Sequence, residues 1–140
     1  MGYKFEASNS KESNEALEHY FQFHDDYVAG IEIKFDDYKA LNDKGESTGI
    51  RGANMAIILS VNTRPYGKDH ERIVKVEFKD VRSFDISAPS GEGNWWGIMD
   101  NFTSEEGDCI KFDMEFIAGD ARFAVVFSKM IITSDYVRKE

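Results

Sequence analysis

His24, Asp25 and Asp26 are the best candidates for chemistry in this sequence. A histidine beside two carboxylates can bind a divalent metal ion, or act as an acid or base whose pKa the carboxylates raise. A metal site needs three or four converging ligands, and no His-x-x-x-His or cysteine pair supplies the rest. The alternative is structural, since such side chains often hydrogen-bond the backbone of a turn. These residues stay candidate metal ligands, but the structural role is favoured and no cofactor is predicted.

Cys109, the only cysteine of the chain, is a poor candidate for a catalytic nucleophile. The acidic neighbours Glu105, Glu106 and Asp108 raise the pKa of a thiol and weaken its nucleophilicity. Residues 90–94 form a glycine-containing loop that lacks the Lys-Ser/Thr of a phosphate-binding loop, and no Gly-x-Ser-x-Gly motif occurs. The sequence therefore predicts a protein that is not an enzyme.

Negative charge is concentrated in residues 99–120, where seven acidic residues face Lys111 alone, in a chain of net charge −9. Such a field attracts basic partners over about one Debye length, roughly 8–10 Å, and repels nucleic acid and anionic lipid. The alternative is that acidity only keeps a β-rich protein in solution. We predict a basic protein partner, with no nucleic acid and no membrane. The candidate partner-binding acids are Asp100, Glu105, Glu106, Asp108, Asp113 and Glu115.

Trp95 and Trp96 are adjacent, so on a strand their side chains point to opposite faces. At most one of them lies in a given core. The other would be exposed as an anchor for a protein partner, or would stack on a sugar ring beside Tyr66 or Tyr136. The alternative is that the second tryptophan lies beneath a helix or loop. Both are predicted partner-binding residues.

Alternation of apolar and polar residues runs along most of the chain and predicts half-buried β-strands. It is clearest over 121–133, which is predicted as one long final strand with Phe123, Phe127 and Ile131 on one face. Other strands are predicted over 27–35, 55–61, 74–78, 81–86, 95–102 and 110–116. The polar residues around 36–37 and over 42–52 are predicted to form a long turn.

One short helix is expected before these strands, ending near Phe21, because capping residues around Ser10 precede apolar residues spaced three and four apart. Seven or eight strands without a second helix must pair antiparallel, since parallel crossovers need helices. The predicted fold is mainly β: an antiparallel two-layer sandwich or strongly curved sheet with one short N-terminal helix. We expect a single domain over 1–140, with residues 1–10 flexible.

A cytoplasmic location is expected because the single cysteine cannot form an internal disulfide. The sequence also shows no charged-then-apolar leader and no apolar run of membrane-spanning length.

Two segments carry a family resemblance. The first is FHDD at 23–26 with the strand VAGIEI at 28–33, and the second is IVKVEFKDVRSF at 73–84. Together they resemble small acidic immunity proteins of bacterial polymorphic toxin systems and related β-rich bacterial families. The resemblance implies a cytoplasmic, non-enzymatic protein that binds and blocks a toxin, with no catalytic residues. The acidic composition fits such an inhibitor, because many nuclease toxins are basic.

Besides a metal-dependent enzyme built on His24, Asp25 and Asp26, two hypotheses follow from the sequence. The first is an immunity-like domain that binds a basic toxin through its acids and an exposed tryptophan. The second is a β-sandwich that binds a small ligand or carbohydrate through Trp95, Trp96 and nearby tyrosines.

Overall fold

The computed structural model of the protein describes residues 2–63, 72–90 and 96–136, with the backbone alone for 36–40 and 50–53. It contains two antiparallel sheets, one of five strands in the order β1-β9-β4-β3-β2 and one of four strands in the order β5-β8-β7-β6. The strands are β1 (Tyr3–Ala7), β2 (Tyr27–Leu41), β3 (Ser47–Asn62), β4 (Ile73–Lys79), β5 (Ser83–Ser87), β6 (Ile98–Glu106), β7 (Cys109–Phe116), β8 (Arg122–Phe127) and β9 (Lys129–Ser134). The predicted mainly β, antiparallel class with a short N-terminal helix is confirmed.

The core lies between the two sheets and is built by strand alternation. On β7 the even-numbered residues from Ile110 to Phe116 are buried, and the residues between them are exposed or half-buried. Phe78 of the five-stranded sheet packs its ring against Phe112 and Phe127 of the four-stranded sheet, with centroids 5.1 and 4.9 Å apart. Burying large aromatic rings between two sheets supplies most of the hydrophobic free energy of such a fold.

The two sheets are joined at a corner, where β4 continues into β5 beside the continuation of β8 into β9. The backbone N–H of Ser128 donates to the carbonyl of Lys79 at 3.0 Å, and that of Arg82 donates to Val126 at 2.8 Å. Asp80 takes a left-handed φ of +54°, and its carboxylate accepts a hydrogen bond from the Ser128 hydroxyl at 2.9 Å. The paired strands therefore change sheets together at this point.

The prediction of one continuous strand over 121–133 is wrong, because this corner divides it at Ser128. Before the corner the odd-numbered residues Phe123 and Phe127 are buried; after it the even-numbered Met130 and Ile132 are buried. Ile131 therefore lies on the outer face and does not share the face of Phe123. A change of sheet inverts the side-chain parity, which a single alternating pattern cannot represent.

The expectation that residues 1–10 are flexible is also wrong for most of that segment. Tyr3–Ala7 form β1, which pairs antiparallel with β9 from Tyr3 with Ser134 to Ala7 with Met130. Ala7 is buried in the core. The short polar sequence concealed a strand because only one of its residues is fully buried.

The β2–β3 hairpin is longer than predicted. β2 extends to Leu41 and β3 begins at Ser47, so the polar turn covers only 42–46. β4 pairs with β3 only from Ile57 onward, and the far part of the hairpin is a two-stranded ribbon. Residues 41–49 of this ribbon are all exposed and show no apolar alternation, which explains why the sequence predicted a turn there.

Helix α1 (Ser10–Glu18) closes one side of the sandwich between β1 and β6. The Asn9 side chain caps it by accepting a hydrogen bond from the Glu12 N–H at 2.8 Å. A single 3-10 turn follows at Phe21–Phe23, near the predicted helix end. Within the described ranges, no helix is long and apolar enough to cross a membrane.

Candidate functional site

The outer side of the four-stranded sheet carries carboxylates on three of its strands. Asp113 and Glu115 alternate with buried residues of β7 and therefore point away from the core. Asp100 of β6 lies opposite Glu115, and Asp85 of β5 lies in register with Ala124, which in turn lies opposite Asp113. We call this surface, carrying Asp85, Asp100, Asp113 and Glu115, the acidic face.

A shallow groove of about 460 Å³ crosses the acidic face. Asp85, Asp113 and Glu115 line it together with Met99 and Arg122. The guanidinium of Arg122 lies 3.6 Å from the Asp85 carboxylate, in a pair that is well exposed to solvent. An exposed pair of this kind contributes little stability but offsets one negative charge.

Phe102 adds a large apolar group to this negative surface. It lies opposite Asp113 in the β6–β7 pairing, and 46% of its surface is exposed. An exposed aromatic ring beside carboxylates is typical of a protein-binding surface, where buried aromatic anchors contribute much of the affinity. Phe102 was not predicted as a site residue, although it lies two residues from Asp100 and therefore on the same face of the strand, which could have indicated it.

The remaining predicted acids lie at the end of the β6–β7 hairpin and not on the acidic face. Glu106 and Asp108 flank the turn at Gly107 and are exposed. Glu105 accepts hydrogen bonds from the backbone N–H and hydroxyl of Ser10, at 3.0 and 2.8 Å. These bonds lower the pKa of Glu105, the backbone N–H being the larger cause. Glu105 therefore has a structural role: it holds the start of α1 against β6.

Of the two adjacent tryptophans, the structure describes Trp96; Trp95 lies outside the described residues. Trp96 is half-buried, and its ring meets Phe116 edge to face with centroids 5.4 Å apart. Tyr136, the predicted sugar-stacking neighbour, packs against the ring of Tyr20 and under the guanidinium of Arg72. Tyr66 also lies outside the described residues. Trp96 is thus held partly within the fold, beside the start of β2.

His24, Asp25 and Asp26 lie between the 3-10 turn and β2. The ring nitrogen Nδ1 of His24 donates to the carbonyl of Met99 at 2.6 Å, and Nε2 lies 3.7 Å from the Asp25 carboxylate. Asp26 is buried, whereas the other two side chains are exposed. Among the described residues, no group of three His, Cys, Asp or Glu side chains is placed to hold a metal ion. His24 instead fastens this turn to β6.

Cys109 begins β7 and is only 6% exposed. Burial raises the pKa of its thiol, and the neighbouring Asp108 raises it further. A buried thiol that stays protonated is a weak nucleophile.

The outer side of the four-stranded sheet thus combines the acidic face, a groove and the exposed ring of Phe102. Such a surface can attract a basic partner and bind it by apolar contact. Comparison with known proteins found no matching family model, no matching curated protein and no matching solved structure.

Proposed function

We propose that this protein is a non-enzymatic protein-binding domain whose acidic face receives a basic protein partner. One observation carries the proposal: Asp85 of β5 and Asp113 and Glu115 of β7 line a groove, and the exposed ring of Phe102 lies opposite Asp113. The charges would steer the partner during approach, and the ring would bury apolar area once contact is made.

The partner within this proposal is a basic toxin that the protein neutralises in the bacterial cytoplasm. The resemblance of segments 23–33 and 73–84 to immunity proteins supports it. The overall charge of −9 also supports it, since an acidic inhibitor can compete with nucleic acid for a basic nuclease. The cytoplasmic location belongs to the proposal and rests on the cysteine usage.

The structure suggests which acids to change in a test. Asp100, Asp113 and Glu115 are on the acidic face and have no ion pair within the described part of the chain. Glu105 is unsuitable, because its hydrogen bonds to Ser10 mean that a substitution would also disturb α1.

The test begins with capture of the partner from bacterial lysate at low salt, followed by measurement of association rates. The variant D100N/D113N/E115Q should associate at least tenfold more slowly, with a weaker dependence on salt. The matched control is E46Q/E106Q/D108N, which removes the same number of charges from two exposed turns and should associate nearly as fast as the wild type. Growth of cells producing the captured protein should be restored by co-expressing the wild type.

Three outcomes would contradict the proposal. Equal slowing by both triple variants would mean that net charge acts and not the acidic face. An unchanged rate in the first variant would exclude the acidic face as the binding surface. A captured protein whose production does not affect growth would exclude the toxin.

A further inference from the structure

β6 reverses the usual orientation of a strand in a β-sandwich. Asn101 is 3% exposed and Thr103 is half-buried, whereas the aromatic ring of Phe102 between them is 46% exposed. The hydroxyl of Thr103 donates to the side-chain oxygen of Asn14 in α1 at 2.7 Å, so this inward side of β6 is polar. Apolar residues of a sandwich strand normally face the opposite sheet. The reversal leaves Phe102 without a place in the core and suited to contact a partner.

A β-bulge at Met99 produces this orientation. Ile98 and Asp100 of β6 lie opposite consecutive residues of β7, so Met99 between them is an extra residue in the pairing. Ile98 is buried in the core, and a strand that alternated regularly from it would also turn Asp100 and Phe102 inward. The bulge therefore decides that both side chains lie on the outer side of the sheet.

The segment between α1 and β2 holds the bulge by side-chain hydrogen bonds. The ring nitrogen Nδ1 of His24 donates to the carbonyl of Met99 at 2.6 Å. Just beyond the bulge, Nδ2 of Asn101 donates to the carbonyl of Gln22, also at 2.6 Å. Pairing without the bulge would turn Asn101 outward and break the second bond. The two bonds therefore favour the observed register over one shifted by a residue.

The same segment has a strained backbone. Phe21, Gln22, Phe23 and Asp25 have φ angles from +52° to +67°, in the left-handed region that favours glycine over larger residues. Such conformations persist only where surrounding contacts hold them, and they are concentrated at functional sites. The Asp25 N–H also donates to the carbonyl of Ile98 at 3.0 Å, so the strained segment is hydrogen-bonded to β6 on both sides of the bulge.

We propose that His24 and Asn101 are positioning residues for the acidic face. They hold the bulge at Met99 and thereby keep Phe102 on the outer side, where its ring contacts the basic partner. The inference rests on the proposed function, since binding is what gives the exposed ring a use. It separates two steps of binding: the acids govern association, and the two positioning residues govern dissociation through Phe102.

Dissociation of the full chain from the captured basic partner tests the proposal. H24A/N101A removes both side-chain donors and none of the acids, so the association rate should stay at the wild-type value while dissociation becomes about tenfold faster. H24A alone should have an intermediate dissociation rate. H24N, whose amide N–H can replace the Nδ1 donor, should return that rate to the wild-type value.

The matched control is N62A on the five-stranded sheet. Asn62 is 2% exposed, and its side-chain nitrogen donates to the Tyr27 hydroxyl at 2.6 Å, so the variant removes an equally buried amide and its hydrogen bond. It should leave both rates at the wild-type value, because Asn62 does not contact β6 in this way.

A second measurement needs no partner. Para-fluorophenylalanine in place of Phe102 reports the exposure of the ring through the shift of its fluorine resonance between light and heavy water. The otherwise wild-type chain and N62A should show the same large shift. H24A/N101A should show a smaller shift or a second, solvent-shielded resonance.

Four outcomes would count against these assignments. An unchanged fluorine resonance in H24A/N101A would overturn the positioning role, even if dissociation became faster. Wild-type dissociation of that variant would overturn it as well. Equal acceleration by N62A would mean that lost stability acts and not the orientation of Phe102. Association of D100N/D113N/E115Q at the wild-type rate would instead refute the proposed function, while the fluorine measurement still decides whether the two residues hold Phe102 outward.

Discussion

The outer faces of the two sheets carry similar residues but arrange their charges differently. On the five-stranded sheet, Glu6 lies between two lysines, with Lys4 at 3.4 Å and Lys129 at 3.6 Å. These neighbours lower the pKa of Glu6, chiefly through the hydrogen bond from Lys4. The charge of Glu6 is therefore balanced by two lysines within the molecule.

On the acidic face of the four-stranded sheet, most carboxylates have no positively charged partner within the part of the chain that the structure describes. Arg122 neutralises Asp85, but Asp100, Asp113 and Glu115 have no such partner among the described residues. Their field therefore extends into solvent, where salt screens it over about 8–10 Å. The comparison teaches that the arrangement of charges, more than their number, decides which face can act on another molecule.

The largest expected effect comes from breaking the core that both faces share. Phe78→Ala removes the ring that packs on Phe112, Phe123 and Phe127 across the sandwich. It should lower the free energy of unfolding by about 3–5 kcal/mol, measured by urea denaturation. The control is Phe84→Ala on β5, where the ring is 45% exposed and the cost should be about 1 kcal/mol or less. Equal costs would contradict the central place of Phe78 in the core.

A smaller effect on the Tm is expected to distinguish Glu105, which hydrogen-bonds to Ser10, from its neighbour Glu106 at the turn. The folded-state pKa of Glu105 is lowered below 4.5, so its stabilising contribution is present above that pH and is lost as the pH falls. Glu105→Gln should therefore lower the Tm by about 2 °C at neutral pH, and the difference should vanish in acid. Glu106→Gln, its exposed neighbour, should change the Tm little at any pH. A pH-independent loss in Glu105→Gln would contradict the role of its charge.

The smallest effect tests the comparison of the two faces directly. Glu6→Gln leaves Lys4 and Lys129 facing each other and should lower the Tm by about one degree. Asp113→Asn removes a charge from an already negative face and should leave the Tm unchanged or raise it slightly. High salt should reduce both changes, as measured by thermal unfolding at two ionic strengths. Shifts of the same sign at low salt would mean that the faces do not differ.

The sequence was informative where one face of a strand is buried along its whole length. β4 and β7 both follow a regular alternation of apolar and polar residues, and both lie within the predicted strands or close to their bounds. Alternation could not predict the corner at Ser128, because the pattern on each side is regular and only its parity changes. It also missed the far part of the β2–β3 hairpin, where residues 41–49 are all exposed.

The candidate site was predictable as a concentration of charge but not as a surface. Composition alone indicates an excess of acids over 99–120. Only strand register brings Asp100 beside Glu115 and adds Asp85 from β5, which lies outside that segment. The same register places Phe102 among them and leaves Glu106 at the turn. Pairing between strands is a long-range property, and a local pattern of residues does not determine it.

The strand order determines when the five-stranded sheet can form during synthesis of the chain. Among the described strands β1 pairs with β9 alone, so Tyr3 meets Ser134 and β1 stays unpaired until β9 has been made. Until then, β4 also has one unpaired edge, because β9 lies between β4 and β1 in the sheet. The five-stranded sheet can therefore be completed only after β9 has been made, and until then the nascent chain keeps unpaired edges that chaperones can bind.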